Sequence, residues 1–84
     1  MTGIDYARLR SLTTRQIVNA LQRDGFALDR KTGSHRLYRH PDGRRVTVSY
    51  HRPGGTLPPK TLKSMIEVQA RWVAADLRRL GLLK

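Results

Sequence analysis

Two turn signals divide residues 26–50 into three short segments, and this division constrains the fold more than any other feature. The first turn lies at residues 31–34 and contains Gly33. The second is Pro41-Asp42-Gly43, in which proline presets one backbone angle and glycine accepts a positive φ. The flanking residues alternate with period two, most clearly where Val46, Val48 and Tyr50 interleave with Arg45, Thr47 and Ser49. The pattern predicts antiparallel strands over residues 26–30, 35–40 and 44–50, with Phe26 and Leu28 on one face.

A helix is predicted before the strands. Thr13 and Gln16 form a capping-box signature, and Ile17, Val18 and Leu21 follow at helical spacing. Gly25 is placed to take the left-handed conformation that ends a helix. These signals predict a helix over residues 14–24.

A second helix is predicted to begin at Pro59, because proline suits the first helical position. Leu62, Met65 and Ile66 give it an apolar stripe. The helical period continues through Trp72, so one long helix is an alternative to a break near Arg71. We favour the break, with a short final helix over residues 73–80 that ends at Gly81.

The predicted order is therefore a helix, three antiparallel strands and a helix, with a helical C-terminal extension, in the α+β class. A chain of 84 residues predicts a single domain, with a core over residues 13–70 and extensions at 1–12 and 71–84. The first extension is either an extra helical turn or a loose tail. An antiparallel sheet covered by helices on one side leaves its other face open. Leu37 and Tyr38 are adjacent in the second strand, so one enters the core and the other lies on that open face.

Charge gives the strongest indication of a partner. The chain carries 17 Lys and Arg against 6 Asp and Glu, a formal net charge of +11. Residues 30–52 contain seven basic side chains and a single acidic one, Asp42. The basic residues are Arg30, Lys31, Arg36, Arg39, Arg44, Arg45 and Arg52. Arginine matches phosphate oxygens with a planar fork of donors, so the charge points toward a polyanion, usually a nucleic acid. A solvated, self-repelling surface and a basic face made for an acidic protein are the alternatives, and composition leaves them open.

The same segment contains all the histidines, His35, His40 and His51. Imidazole is the side chain best suited to proton transfer near neutral pH. A lone histidine at the start of a strand is more often structural, and His40 is expected to satisfy the backbone of the neighbouring turn. Their spacing fits no metal-ligand pattern, so we expect no metal site. The chain has no cysteine and no long apolar run, which predicts a cytoplasmic protein without a membrane segment.

At these residues the chain resembles the HicA family of toxin ribonucleases. The resemblance rests on Gly25-Phe26, Gly33-Ser34-His35, Tyr38, the turn with its preceding His40, the valines of the third strand and His51. The segment Thr61-Leu62 to Ile66 is also similar to the family pattern. Ser49 stands where the family usually has proline, and Lys60 where it often has glycine.

The resemblance implies a fold like the double-stranded RNA-binding domain. It implies an endoribonuclease toxin that degrades mRNA, with His35 as its catalytic residue and no required cofactor. It also implies a HicB-type antitoxin in a complex of higher order. We expect RNA contacts from Arg30, Lys31, Ser34, Arg36, Tyr38, Arg39, Arg44, Arg45 and His51. A module of the same fold that binds RNA without cutting it, and a basic face made only for an acidic protein, are the alternatives.

Overall fold

Each helix and strand of the predicted order is present in the computed structural model, which describes residues 4–52 and 54–83. Helix α1 spans Thr14–Arg23, and strands β1, β2 and β3 span Ala27–Thr32, His35–Arg39 and Arg45–Ser49. Helix α2 spans Pro59–Lys63, a π-helical segment spans Ser64–Gln69, and helix α3 spans Ala74–Arg79. This is the predicted α+β arrangement of a double-stranded RNA-binding-domain-like fold. None of the described helices is long and apolar enough to cross a membrane.

Helix α1 begins and ends as its sequence predicts. The Thr13 hydroxyl accepts a hydrogen bond from the Gln16 N–H (3.2 Å), and the Gln16 side chain accepts one from the Thr13 N–H (2.8 Å). The helix ends at Gly25, where φ is +105°. A side chain there would also meet the His40 ring, since a Cβ would lie 2.9 Å from His40 Nε2. Glycine at this position therefore terminates the helix, and its lack of a side chain lets His40, which follows β2, pack against the helix end.

The strands form one antiparallel sheet in the order β1-β2-β3. Strand β1 begins after Phe26 and contains an irregularity between Leu28 and Arg30. Phe26 is buried, whereas Leu28 is 49% exposed on an edge strand that buries none of its residues. Leu28 pairs with the core-facing Tyr38, so it lies on the side of the sheet where Phe26 is buried, as expected, but at the sheet edge it stays largely exposed.

The core lies on one side of the sheet. Tyr38 is 1% exposed, and it packs with Val46 and Val48 in a cluster that includes Leu21 of α1 and Leu62 of α2. The described part of the N-terminal extension, residues 4–12, forms hydrogen-bonded turns and adds the buried Leu9 and Leu12 to this cluster. Residues 1–3 of that extension lie outside the described residues. One face of the sheet is thus covered by helices and the N-terminal turns.

The helical layer breaks where the sequence suggests. Pro59 occupies the first turn of α2, and the predicted stripe of Leu62, Met65 and Ile66 is buried. The following π-helical segment ends at Gln69, and Arg71, two residues later, reverses the chain with a φ of +57° and without a glycine. Helix α3 then starts after Val73, and Leu77 and Leu80 return the chain to the core. The short final helix is confirmed.

The Asp24 carboxylate, at the C-terminal end of α1, joins several elements. It accepts hydrogen bonds from Trp72 Nε1 (2.8 Å) and an Arg79 terminal nitrogen (2.6 Å), and an Arg44 terminal nitrogen lies 3.3 Å away. The Asp24 side chain is only 7% exposed. Burial raises its pKa, but the hydrogen bonds from Trp72 and Arg79 and the two guanidinium charges outweigh burial, so the pKa lies below its ordinary value.

Replacing this carboxylate by an amide should destabilise the fold. Asp24→Asn leaves Arg44 without its buried counter-charge, and we expect the free energy of unfolding to fall by about 3 kcal/mol. Urea unfolding at neutral pH measures this, with Asp29→Asn on the exposed edge strand as the matched control. Because the folded pKa of Asp24 is depressed, its contribution is complete above the unfolded value of about 4 and is lost as the pH falls below it. The difference in the free energy of unfolding between wild type and Asp24→Asn should therefore decrease in acid. Equal stability of the two aspartate variants at pH 7 would contradict this role.

Candidate nucleic-acid interface

The second face of the sheet is the open face, defined by the side chains that alternate with the buried Tyr38, Val46 and Val48. Strand pairing aligns His35 with Thr32 and Ser49, Leu37 with Arg30 and Thr47, and Arg39 with Arg45. Since directly paired residues share a face, these side chains form one surface across three strands. The open face is therefore Arg30, Thr32, His35, Leu37, Arg39, Arg45, Thr47 and Ser49.

Uncompensated positive charge occupies one part of the open face. Arg39 and Arg45 are direct cross-strand partners, and both are exposed. Like charges placed opposite each other in a sheet are unfavourable. Within residues 4–52 and 54–83, neither these two nor Arg30 forms an ion pair. The repulsion between Arg39 and Arg45 suits a surface whose partner supplies the negative charge.

Three of the six acidic side chains are engaged elsewhere. Asp24, Asp42 and Asp76 form the ion pairs with Arg44 and Arg79 on the helical side and in the second turn. Asp42 accepts hydrogen bonds from the Arg44 N–H (3.0 Å) and Arg44 Nε (2.7 Å), and these with the guanidinium charge hold the Asp42 pKa below its usual value. These carboxylates bind structural arginines, so they do not neutralise the open face.

Two imidazoles lie at the other end of the open face. His35 is exposed at the start of β2, directly opposite Ser49 of β3. His51 follows two residues after Ser49, and its Nε2 lies 3.5 Å from the Ser49 hydroxyl oxygen. Exposed imidazoles on a surface that also carries arginines can transfer protons next to a bound anion.

The loop that carries His51 is held on both sides. Before it, the Tyr50 N–H donates to the Ser34 carbonyl (2.6 Å). After it, the Gly55 carbonyl accepts from the Thr14 N–H (2.8 Å) and the Thr14 hydroxyl (3.0 Å). A cavity of about 320 Å³ lies between the loop and the start of α1, lined by Thr14, Ser49, His51, Arg52, Gly55, Thr56 and Leu57.

The structure brings together part of the predicted RNA-contact set. Arg30, Arg39 and Arg45 share the open face with His35, and His51 lies at its end. Lys31 and Arg36 pair with each other in the register that places them on the opposite, helix-covered side. There the Arg36 guanidinium stacks on the Tyr50 ring, 3.8 Å from its centroid. Ser34 is half-buried in the turn before His35.

Two expected RNA contacts are wrong. Tyr38 is the residue of the Leu37–Tyr38 pair that enters the core, so its ring cannot reach a ligand on the open face. Arg44 is held by Asp24 and Asp42, and one of its terminal nitrogens donates to the Ala70 carbonyl (2.6 Å). Its guanidinium therefore stabilises the fold.

His40 has the expected structural role. Its Nε2 lies 2.8 Å from the Asp24 carbonyl oxygen, which can only accept, so Nε2 carries the hydrogen. Its Nδ1 accepts from the Asp42 N–H (3.1 Å) in the adjacent turn. In the part of the chain that the structure describes, no three His, Asp or Glu side chains converge as metal ligands do.

Sequence reasoning missed Ser49, Leu37 and Thr47 as members of this surface. The alternation in β3 already placed Thr47 and Ser49 on the face opposite Val46 and Val48, and this was the available signal. Leu37, which is half-buried, became assignable only once Tyr38 was seen to be the core residue.

The comparison with protein families agrees with this architecture. A family model described as the HicA toxin of bacterial toxin–antitoxin systems matches residues 14–72. The match runs from the start of α1 to Trp72, just before α3. The match covers well over half of the 84 residues. No curated protein matches the chain.

Removing one of the opposed arginines should relieve repulsion. We expect Arg45→Gln to raise the free energy of unfolding at low salt by a few tenths to about 1 kcal/mol, the range of cross-strand charge pairs. The gain should shrink in high salt, because exposed charges are screened. Thermal or urea unfolding at two salt concentrations measures it. Arg10→Gln, exposed in the N-terminal turns and away from any helix end, makes the same change in net charge and is the matched control. If the two variants respond alike, the local repulsion between Arg39 and Arg45 is not significant.

Proposed function

The chain belongs to the HicA family of bacterial toxins, and we propose that it is an endoribonuclease that cleaves mRNA on the open face and thereby arrests translation. The observation that carries the proposal is the exposed His35 on a surface shared with Arg30, Arg39 and Arg45. A phosphodiester is cleaved when one proton is taken from the nucleophile and another is given to the leaving oxygen. His35 supplies the imidazole for proton transfer.

The arginines have a separate role in this proposal. Arg39 and Arg45, at the end of the open face away from His35, bind the RNA backbone. Arg30 lies nearer to His35 in the strand register, and its guanidinium neutralises negative charge that develops at the phosphoryl oxygens during cleavage. Because these arginines form no ion pairs among the described residues, no internal bond has to break before RNA binds. Half-buried Leu37, between Arg30 and Thr47, offers an apolar contact for a base.

Membership of a toxin–antitoxin family implies an antitoxin partner. We propose that this partner is of the HicB type, that the complex is of higher order and that both act in the cytoplasm. An antitoxin that lays acidic side chains on the open face would balance the opposed charges of Arg39 and Arg45 and exclude RNA from His35.

The first test is the loss of cleavage in His35 variants. His35→Ala and His35→Gln should lower the rate of RNA cleavage by roughly 100-fold or more, which is typical when an acid–base group is removed. RNA affinity should stay close to that of wild type, because the arginines remain. Cleavage of a defined RNA by purified, antitoxin-free protein measures the rate, and circular dichroism checks the fold. Arg15→Ala, with an exposed side chain on α1, should cleave at the wild-type rate.

Each possible result for His35 points to a different function. A folded wild-type protein that binds RNA without cutting it would be a binding module of the same fold. If the His35 variants cut as fast as wild type, the chemistry resides in other residues. If neither binding nor cleavage is detectable, the basic face serves a protein partner alone.

The second test concerns the salt dependence of binding. For a single strand, the slope of log K against log salt changes by about 0.7 per phosphate contact. Arg39→Gln and Arg45→Gln, made in the His35→Ala protein so that the RNA stays intact, should each reduce the slope by that amount. Fluorescence anisotropy across a salt series measures it. Arg15→Gln should leave the slope unchanged, and unchanged slopes in both open-face variants would place the RNA elsewhere.

A further inference from the structure

We propose that His51 is a second catalytic residue, which gives a proton to the leaving oxygen, and that the cavity beside it holds the departing nucleotide. This inference rests on the proposed ribonuclease function. It assigns the two proton transfers of the reaction to two different histidines.

The arrangement of the two imidazoles around Ser49 is the main argument. His35 and Ser49 are direct cross-strand partners, which places their Cβ atoms about 5 Å apart on the same face. On the other side of Ser49, its hydroxyl oxygen lies 3.5 Å from His51 Nε2. His35 and His51 are both exposed, so a phosphodiester can reach both from solvent. Ser49 thus lies between two groups of the kind that phosphodiester cleavage needs.

His51 is positioned although it lies in a loop. The sheet ends immediately before it with the bond from Tyr50 to Ser34, the residue that precedes His35. After it, Gly55 is bound by the buried Thr14, and Thr56 forms an isolated antiparallel bridge with Thr13. A backbone held on both sides restricts where the His51 side chain can lie, which favours its use in proton transfer.

The adjoining cavity explains why His51 faces the leaving group. Its volume of about 320 Å³ lies at the lower end of the range of small-molecule sites, a size suited to one nucleotide. Leu57 supplies an apolar wall, Thr14 and Ser49 supply hydroxyl groups, and Arg52 supplies a guanidinium that matches phosphate. His51 belongs to the wall of this cavity, whereas His35 lies beyond Ser49 on the sheet. The nucleotide in the cavity is therefore the one whose oxygen His51 reaches.

The reaction balances with these two groups alone. Neutral His35 takes the proton of the ribose 2′-hydroxyl, and the 2′-oxygen forms a bond to phosphorus. The bond from phosphorus to the 5′-oxygen breaks, and protonated His51 gives its proton to that oxygen. The products are a 2′,3′-cyclic phosphate and a 5′-hydroxyl end. Exchange with water then returns a proton to His51 and removes one from His35.

A change of leaving group tests the role of His51. Once the cleaved bond in a defined RNA is mapped, the same RNA is made with sulfur in place of the bridging 5′-oxygen. A thiolate leaves without being protonated, so a general acid is no longer needed. On the natural RNA, His51→Gln should be slower than wild type by roughly 100-fold or more. On the sulfur-bridged RNA its rate should return close to that of wild type, while His35→Gln stays slow on both.

Other outcomes overturn the proposal. If His51→Gln cuts natural RNA at the wild-type rate, or is equally slow on both RNAs, His51 is not the proton donor. If His35→Gln is the variant restored by sulfur, the roles are reversed. Products with a 5′-phosphate would exclude the 2′-hydroxyl reaction. Arg78→Gln, on the exposed side of α3, should match wild type on both RNAs. A wild-type protein that cuts neither RNA would refute the ribonuclease function itself, which is distinct from a failure of His51 alone.

Discussion

The buried carboxylate of Asp24 is the contact on which the rest of the structure depends. It ties the end of α1 to Arg44 before β3, to Trp72 after the π-helical segment and to Arg79 of α3. These elements are far apart in the chain, and the Asp24 carboxylate fixes them as one layer against the sheet. The carbonyl of the same residue holds His40 at the end of β2. A core this small gains much from a single group that joins so many elements.

The ion pairs of Asp24 also determine which arginine side chains remain unpaired. A chain with 17 basic and 6 acidic side chains cannot pair every cation. Asp24, Asp42 and Asp76 are bound to Arg44 and Arg79, so the positive charge of the open face has no internal partner among the described residues. Helices cover one side of an antiparallel sheet and the other side stays open. The architecture and the charge distribution thus leave the open face positively charged and accessible, which suits it to the anionic partner proposed above.

Local signals predicted most of the fold and half of the site. The capping box at Thr13, the glycine turns, Pro59 at a helix start and the break at Arg71 are short-range features, and each appears as expected. The side chains with long-range partners were not predictable. Tyr38 rather than Leu37 is buried because Tyr38 meets the core. Arg44 rather than Arg45 is paired because Arg44 meets Asp24. Gln69 is another example. Its side-chain oxygen accepts a hydrogen bond from the Thr47 N–H at the edge of β3 (2.8 Å), and Gln69 is the last residue of the π-helical segment. The position of Ser49 next to His35 became apparent only from the pairing of β2 with β3.

The most direct test of the account is an NMR titration of the isotope-labelled protein with an RNA blocked by 2′-O-methyl groups. The account predicts that backbone amide shifts concentrate on the open face, at His35, Leu37, Arg39, Arg45 and Ser49, and that the ring signals of His35 and His51 shift together. The amides of the helical layer around Val68 and Val73, which are exposed apolar residues, should stay unchanged. Shifts confined to that layer, or to Lys31 and Arg36 on the covered side of the sheet, would contradict the central claim.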